Sequence, residues 1–221
     1  MLTVFCVLWG DKYSPESVYQ LKRQVENNLT IEHRFVCITD QKLDGINIQV
    51  PPVAYPGWWQ KIGLFSPRIA PSLSLYLDLD VIITGNLDDM VREYGWRDLA
   101  AASNWAQSGH MSVQSSVMIW RGDTRMTRRI WKEFDATWAA WPPTNEGSEQ
   151  HPYWGDQEWI TKLYGNPGEG AVTEIKSGEV VSYKYHCGGG LPPMAKVVVF
   201  HGDPKPEKCR HIPWIAQRLS T

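Results

Sequence analysis

The sequence predicts an α/β fold: one domain whose central sheet is mixed but mostly parallel, with helices on its faces. Three observations predict it. Leu2 to Trp9 is apolar almost throughout, as a parallel strand buried on both faces is. Ser14-Pro15-Glu16 is a helix start, and Val18, Leu21, Val25 and Leu29 follow it at spacings of three and four. Further apolar runs at 34–39 and 46–50 return the chain to the sheet. Strand, helix, strand, strand in that order places functional groups at the carboxyl ends of strands.

The remaining elements follow in order. Pro51 to Gly57 reads as a loop and Trp58 to Phe65 as a helix with Ile62 and Phe65 inward. The central run, LSLYLDLDVIITGNLDD, spans Leu73 to Asp89 and gives two apolar stretches around Asp78 and Asp80, then a turn at Thr84-Gly85-Asn86. Leu87 to Tyr94 predicts a short helix, and Leu99 to Ser103 and Met111 to Trp120 predict strands. Asp123 is the expected cap of a helix to Trp141, whose Trp131, Phe134, Trp138 and Trp141 fall on one face. A long polar loop, Pro142 to Trp154, delivers Gly155-Asp156-Gln157-Glu158 into a helix through Leu163. Val180 to Tyr185 and Lys196 to Phe200 predict strands, and Pro213 opens a final helix. There is no internal repeat and no domain linker, so residues 1–221 read as a single domain.

Composition narrows the function. The 221 residues carry a formal net charge of -2, without the basic stripe of a nucleic-acid reader. No apolar run approaches the roughly 20 residues of a membrane span. The opening MLTVFCVLWGD lacks the basic start and small-residue cleavage site of a signal peptide. Cys6, Cys37, Cys187 and Cys209 form no CxxC pair, and two of them lie in apolar runs, which points to a reducing, cytoplasmic setting. Several of the twelve tryptophans sit in polar, Pro-rich sequence.

If Leu75 to Asp80 is extended, Tyr76, Asp78 and Asp80 share one face. Two carboxylates in apolar surroundings repel and resist desolvation, so positive charge must sit between them, and a divalent cation supplies it most simply. Asp78, Asp80 and His201, which follows a strand, make an oxygen and nitrogen set suited to Mn²⁺ or Mg²⁺ with open positions for phosphate. Lys61 and Lys205 add charge suited to a diphosphate.

LYLDLDVIITGNLDDM resembles the metal-binding DxD segment of glycosyltransferases with the GT-A fold, and most resembles glycosyltransferase family 8, the glycogenin and bacterial galactosyltransferase group. The first strand with Asp11 and Tyr13, the Gln60-Lys61-Ile62 helix, the Gln114-Ser115-Ser116-Val117 strand and Asp156-Gln157-Glu158 resemble further family segments in the same order. The resemblance runs from about residue 2 to residue 206 and implies a GT-A, Rossmann-like fold. It also implies transfer of a hexose from a UDP-sugar, with retention, to a saccharide or other hydroxyl acceptor. It implies Asp78, Asp80 and His201 as ligands of Mn²⁺ or Mg²⁺. Tyr13, Asp11 and the backbone of Val7, Leu8 and Trp9 would hold the base. Lys205 and Gly202 would meet the diphosphate, while Lys61, Asp78 and Leu79 would hold the rest of the donor. Gln114 would face the donor sugar, with Asp156 and Gln157 at the reaction centre, and the 142–154 loop with Trp154, together with Trp58 and Trp59, would line the acceptor side, because sugar C–H faces pack on aromatic rings.

The chain also departs from the family. Gln114 stands for the usual Asn and Ser116 for the usual Gly. Aligning the segment VFHGDPKP on Gly202, Lys205 and Pro206 puts Val199 where the ligand His falls, which leaves His201, or else His186, as third ligand. Three rivals share parts of the pattern. A haloacid-dehalogenase-type phosphatase would use Asp78 as nucleophile, but its motif opens the chain and Ile82 departs from it. A nucleotidyltransferase would need a Gly-rich phosphate loop. A non-catalytic sugar-binding module would use the tryptophans but not the Asp, His and Lys set.

Overall fold

In the computed structural model, which describes residues 1–50, 55–69, 73–105, 112–138, 153 and 155–220, the apolar runs fold as strands. The chain opens with β1 (Leu2–Val7), α1 (Pro15–Asn28), β2 (His33–Ile38) and β3 (Asn47–Gln49). A 3₁₀ turn at Gly57–Trp59 leads into a single-turn α2 (Gln60–Gly63), then β4 (Leu73–Leu77), β5 (Val81–Ile83) and α3 (Asp88–Tyr94). Next come β6 (Ala100–Ser103), β7 (Val113–Trp120), α4 (Arg125–Trp138) and α5 (Asp156–Tyr164). The last part holds β8 (Thr173–Glu174), β9 (Val180–Ser182), α6 (Tyr183–His186), β10 (Val197–Val199), a 3₁₀ turn at Pro206–Cys209 and α7 (Pro213–Ser220).

Among the described residues seven strands form the central sheet in the order β3-β2-β1-β4-β7-β6-β8, and β5-β10-β9 form a second, smaller one. The central sheet is mostly parallel; β7 alone runs antiparallel to its neighbours, β4 and β6. Alternation along β1 feeds two cores. Leu2, Val4 and Cys6 pack with Val18, Leu21 and Val25 of α1, while Phe5 packs with Trp59, Phe65 and Trp120 on the opposite face. The small sheet closes over α7 through Ile82, Val198, Phe200, Ile215 and Leu219. The Gln24 side-chain oxygen accepts the Ile83 N–H at 2.8 Å, so α1 also pins β5.

Four expectations change. The strand through the DxD stops at Leu77, and Leu79-Asp80 is a turn. The run from Val180 breaks after Ser182, because the Ser182 hydroxyl caps a helical turn by accepting the Tyr185 N–H. Thr124, not Asp123, caps α4: its Oγ1 accepts the Thr127 N–H at 3.2 Å, and its own N–H donates to Thr127 Oγ1 at 2.9 Å. Trp59 is fully buried and stacked on Phe134 with ring centroids 5.0 Å apart, so it belongs to the core and not to an acceptor surface. Met111, Trp141, Trp154 and most of the 142–154 loop lie outside the described residues.

Candidate active site

The turn that carries both carboxylates is fixed from two sides. The Asp78 N–H donates to the Ser116 carbonyl of β7 at 2.9 Å, and the Phe200 N–H, just past β10, donates to the Asp80 carbonyl at 2.9 Å. Asp78 and Asp80 are thus held where the central sheet meets the small sheet, at the carboxyl end of β4.

The positive charge that two neighbouring carboxylates require comes here from two lysines, one for each. Lys61 Nζ of α2 lies 3.0 Å from Asp78 Oδ1 and 3.2 Å from Ser115 Oγ. The Tyr76 hydroxyl donates to the same Asp78 oxygen at 2.6 Å. Burial pushes the Asp78 carboxyl up, but Lys61 and the hydrogen bonds from Tyr76, Ser116 and Lys61 outweigh it, so its pKa is lowered and it stays ionised. Burial likewise pushes the Lys61 ammonium down, and the carboxylates of Asp156 and Asp78 reverse this, leaving it raised. On the other side, Lys205 Nζ lies 2.5 Å from Asp80 Oδ2, 3.1 Å from the Tyr13 hydroxyl and 3.2 Å from the Phe200 carbonyl, which satisfies its three donors. Tyr13 donates to Asp80 Oδ2 at 2.8 Å. Burial, then the charges of Asp80 and Asp78, raise the Tyr13 phenol far above its ordinary value, so it remains the donor.

Asp156 opens α5 and joins the Lys61 side. Its Oδ2 is 3.8 Å from Lys61 Nζ and is buried without a hydrogen-bond partner. Burial raises its carboxyl, with Lys61 opposing. Gln157 is half-buried, its Oε1 3.5 Å from Asn104 Nδ2. Gln114 is buried, and its Oε1 accepts the Ser116 N–H at 2.6 Å. Leu8 and Leu79 are buried, Val7 and Trp9 half-buried and Asp11 exposed.

The two candidate imidazoles converge on Ser182 rather than on the carboxylates. His201 Nε2 is 2.7 Å from Ser182 Oγ, and His186 Nδ1 accepts the Ser182 N–H at 3.0 Å. His201 stacks between Trp105 and Tyr185, at centroid distances of 6.1 and 5.7 Å. Val199 is fully buried in β10. Among the described residues no three of His, Cys, Asp and Glu are gathered to hold a metal. The donor chemistry of Asp78 and Asp80 nonetheless fits a hard divalent cation, because Mg²⁺ is commonly held by one or two carboxylates plus substrate phosphates.

Ser182 and Trp105, which position His201, escaped the sequence reading; neither carries a local signal, since both reach the site through the tertiary fold. Tyr76 was legible, as the residue two before Asp78 on the same face.

No protein-family model matches the chain, and no curated protein matches it. Solved structures do. An active-site mutant of LgtC superposes with a TM-score of 0.65 at 15% identity, over 100% of this chain and 94% of that one. The galactosyltransferase LgtC in complex with donor and acceptor sugar analogues gives 0.61 at 13%, over 100% and 95%. The glycosyltransferase GlyE of Streptococcus pneumoniae TIGR4 gives 0.64 at 14%, over 99% of this chain and 62% of that one. At these identities the likeness is one of fold, and the fold is the one that the resemblance to family 8 implied: the chain is built on the GT-A architecture that LgtC and GlyE share.

Proposed function

We propose that this chain is a metal-dependent glycosyltransferase that moves a hexose from a UDP-sugar to a hydroxyl of a saccharide acceptor, with retention. The observation that carries the reading is the convergence of Asp78, Asp80, Lys61, Lys205, Tyr13 and Asp156 at the carboxyl end of β4 in a GT-A sheet. Asp78 and Asp80 would hold Mn²⁺ or Mg²⁺, which when bound stabilises negative charge on the departing diphosphate. His201 would join them as a ligand only by leaving Ser182. Lys205 exchanges Asp80 for phosphate oxygens as the donor enters. Lys61 keeps Asp78 ionised from within the core. Asp156 is sealed behind Lys61 and acts as a positioning residue, leaving Gln157 as the half-exposed group at the reaction centre. The free cysteines fit a cytoplasmic setting, and among the described residues no helix is long and apolar enough to cross a membrane.

The test is calorimetric titration of UDP with and without Mn²⁺, on the wild type and on Asp80→Ala. Manganese-dependent binding that disappears in the variant supports the reading. Absence of UDP binding under both conditions returns the phosphatase and sugar-binding readings to the front.

A further inference from the structure

The two lysines assigned to the donor are already committed. Lys61 and Lys205 face three carboxyl groups, Asp78, Asp80 and Asp156. A diphosphate arriving at this cluster meets cations whose charge is largely cancelled. Beyond the divalent ion proposed above, a multiply charged anion is drawn more strongly by a cation that is not tied to a carboxylate.

The loop that carries Lys205 has one beside it. Lys184, in the single turn α6, is exposed, and among the described residues it makes no ion pair within 4 Å. Its amine lies directly over the backbone of Gly202: a Cβ built there would stand 2.9 Å from Lys184 Nζ. Gly202 adopts φ +71, a left-handed conformation open to glycine, so the loop turns beneath the amine with bare backbone facing it. His201 lies next to this pair, held by Ser182. Lys184, the Gly202 backbone, His201 and Lys205 thus form a rim of positive charge and hydrogen-bonding groups beside the two carboxylates.

We propose that Lys184 is a second phosphate-recognising cation of the donor site, binding the diphosphate over Gly202 beside the Lys205 that is released from Asp80. The assignment rests on the nucleotide-sugar reading and adds to it a residue outside the family resemblance. Lys208, on the same loop, is a built-in control, because its amine is already paired with Asp203 at 2.9 Å.

The experiment measures UDP and uridine affinities on the wild type and on Lys184→Gln, Lys184→Arg and Lys208→Gln, with thermal melting of each. A charge-assisted contact to phosphate predicts that Lys184→Gln weakens UDP on the order of tenfold, leaves uridine within about twofold and does not shift melting. Lys184→Arg should restore most of the loss, and Lys208→Gln should change little. UDP affinity that is unchanged in Lys184→Gln, or that falls in parallel with uridine, overturns the assignment while leaving the nucleotide-sugar reading standing. A wild type that binds no UDP overturns both.

Discussion

The two lysines of the site make the same kind of contact and do different work. Lys61 comes from a helical turn packed against α4, and its side chain is 9% exposed. Lys205 comes from a loop at the rim, and its side chain is 21% exposed. Lys61 touches Asp78, Asp156 and Ser115 on three separate elements, so removing it strands two carboxyl groups in the core. Lys205 touches Asp80, Tyr13 and the Phe200 carbonyl; Asp80 and Phe200 are themselves buried, and it is the lysine that reaches toward solvent. An ion pair walled in by the sheet is part of the fold; one at the rim is available for exchange with a ligand.

The largest expected effect breaks the first half of that contrast. Lys61→Met should destabilise the protein by about 3–5 kcal/mol, because it leaves buried charge uncompensated; urea unfolding measures it, and a loss below about 1 kcal/mol would put Lys61 with Lys205 as a rim cation. Next comes a carboxylate neutralised mainly by hydrogen bonds. Asp88 accepts the backbone N–H groups of Thr30 and Ile31 at 2.8 and 3.3 Å and the Thr30 hydroxyl, with Arg92 at 3.5 Å. Asp88→Ala should cost about 2 kcal/mol. The Thr30 hydroxyl, chiefly, lowers the Asp88 pKa, so its contribution is complete above the ordinary carboxylate range and is lost as pH falls through the lowered folded value. Wild-type stability should therefore decline on acidification in that window, and Asp88→Ala should show a shallower decline by thermal melting.

Lys205→Met sharpens the second half. It should cost about 2 kcal/mol of stability, because buried Asp80 loses a donor and keeps Tyr13, yet weaken UDP by on the order of tenfold; a larger stability loss with intact UDP affinity would make Lys205 structural. The smallest effect belongs to Tyr13→Phe, which removes the hydroxyl that donates to Asp80 and accepts from Lys205 and should cost about 0.5–1.5 kcal/mol in unfolding experiments.

Much of this was legible in the chain. The apolar runs located the strands and helix of the opening βαββ, and the paired carboxylates and both lysines were identified from residue type and setting. What sequence could not supply was who neutralises whom. Asp78 meets Lys61 across 17 residues and Asp80 meets Lys205 across 125, and only the sheet order makes those distances short. The sequence reading asked for a cation between the carboxylates; the fold supplies an ammonium to each. His201 was visible as a histidine after a strand, but its turn toward Ser182 depends on β9 lying beside β10. Asp88 looked like the acidic tail of a motif and serves to hold the Thr30-Ile31 backbone. Trp59, in a Pro- and Gly-rich stretch, resembled a surface ring until Phe134 covered it.

The hydrogen-bonded seat of Lys205 has one further consequence. The protein carries its own counter-ion at Asp80, so under the proposed function the site would work as an ion exchanger rather than as an empty cup. Any cation that binds there evicts a monovalent ammonium that was already well seated, and the exchange favours a double charge over a single one. Sodium or potassium gains nothing over the resident lysine. A divalent ion does, and the ammonium it frees becomes available to the anion that arrives with it.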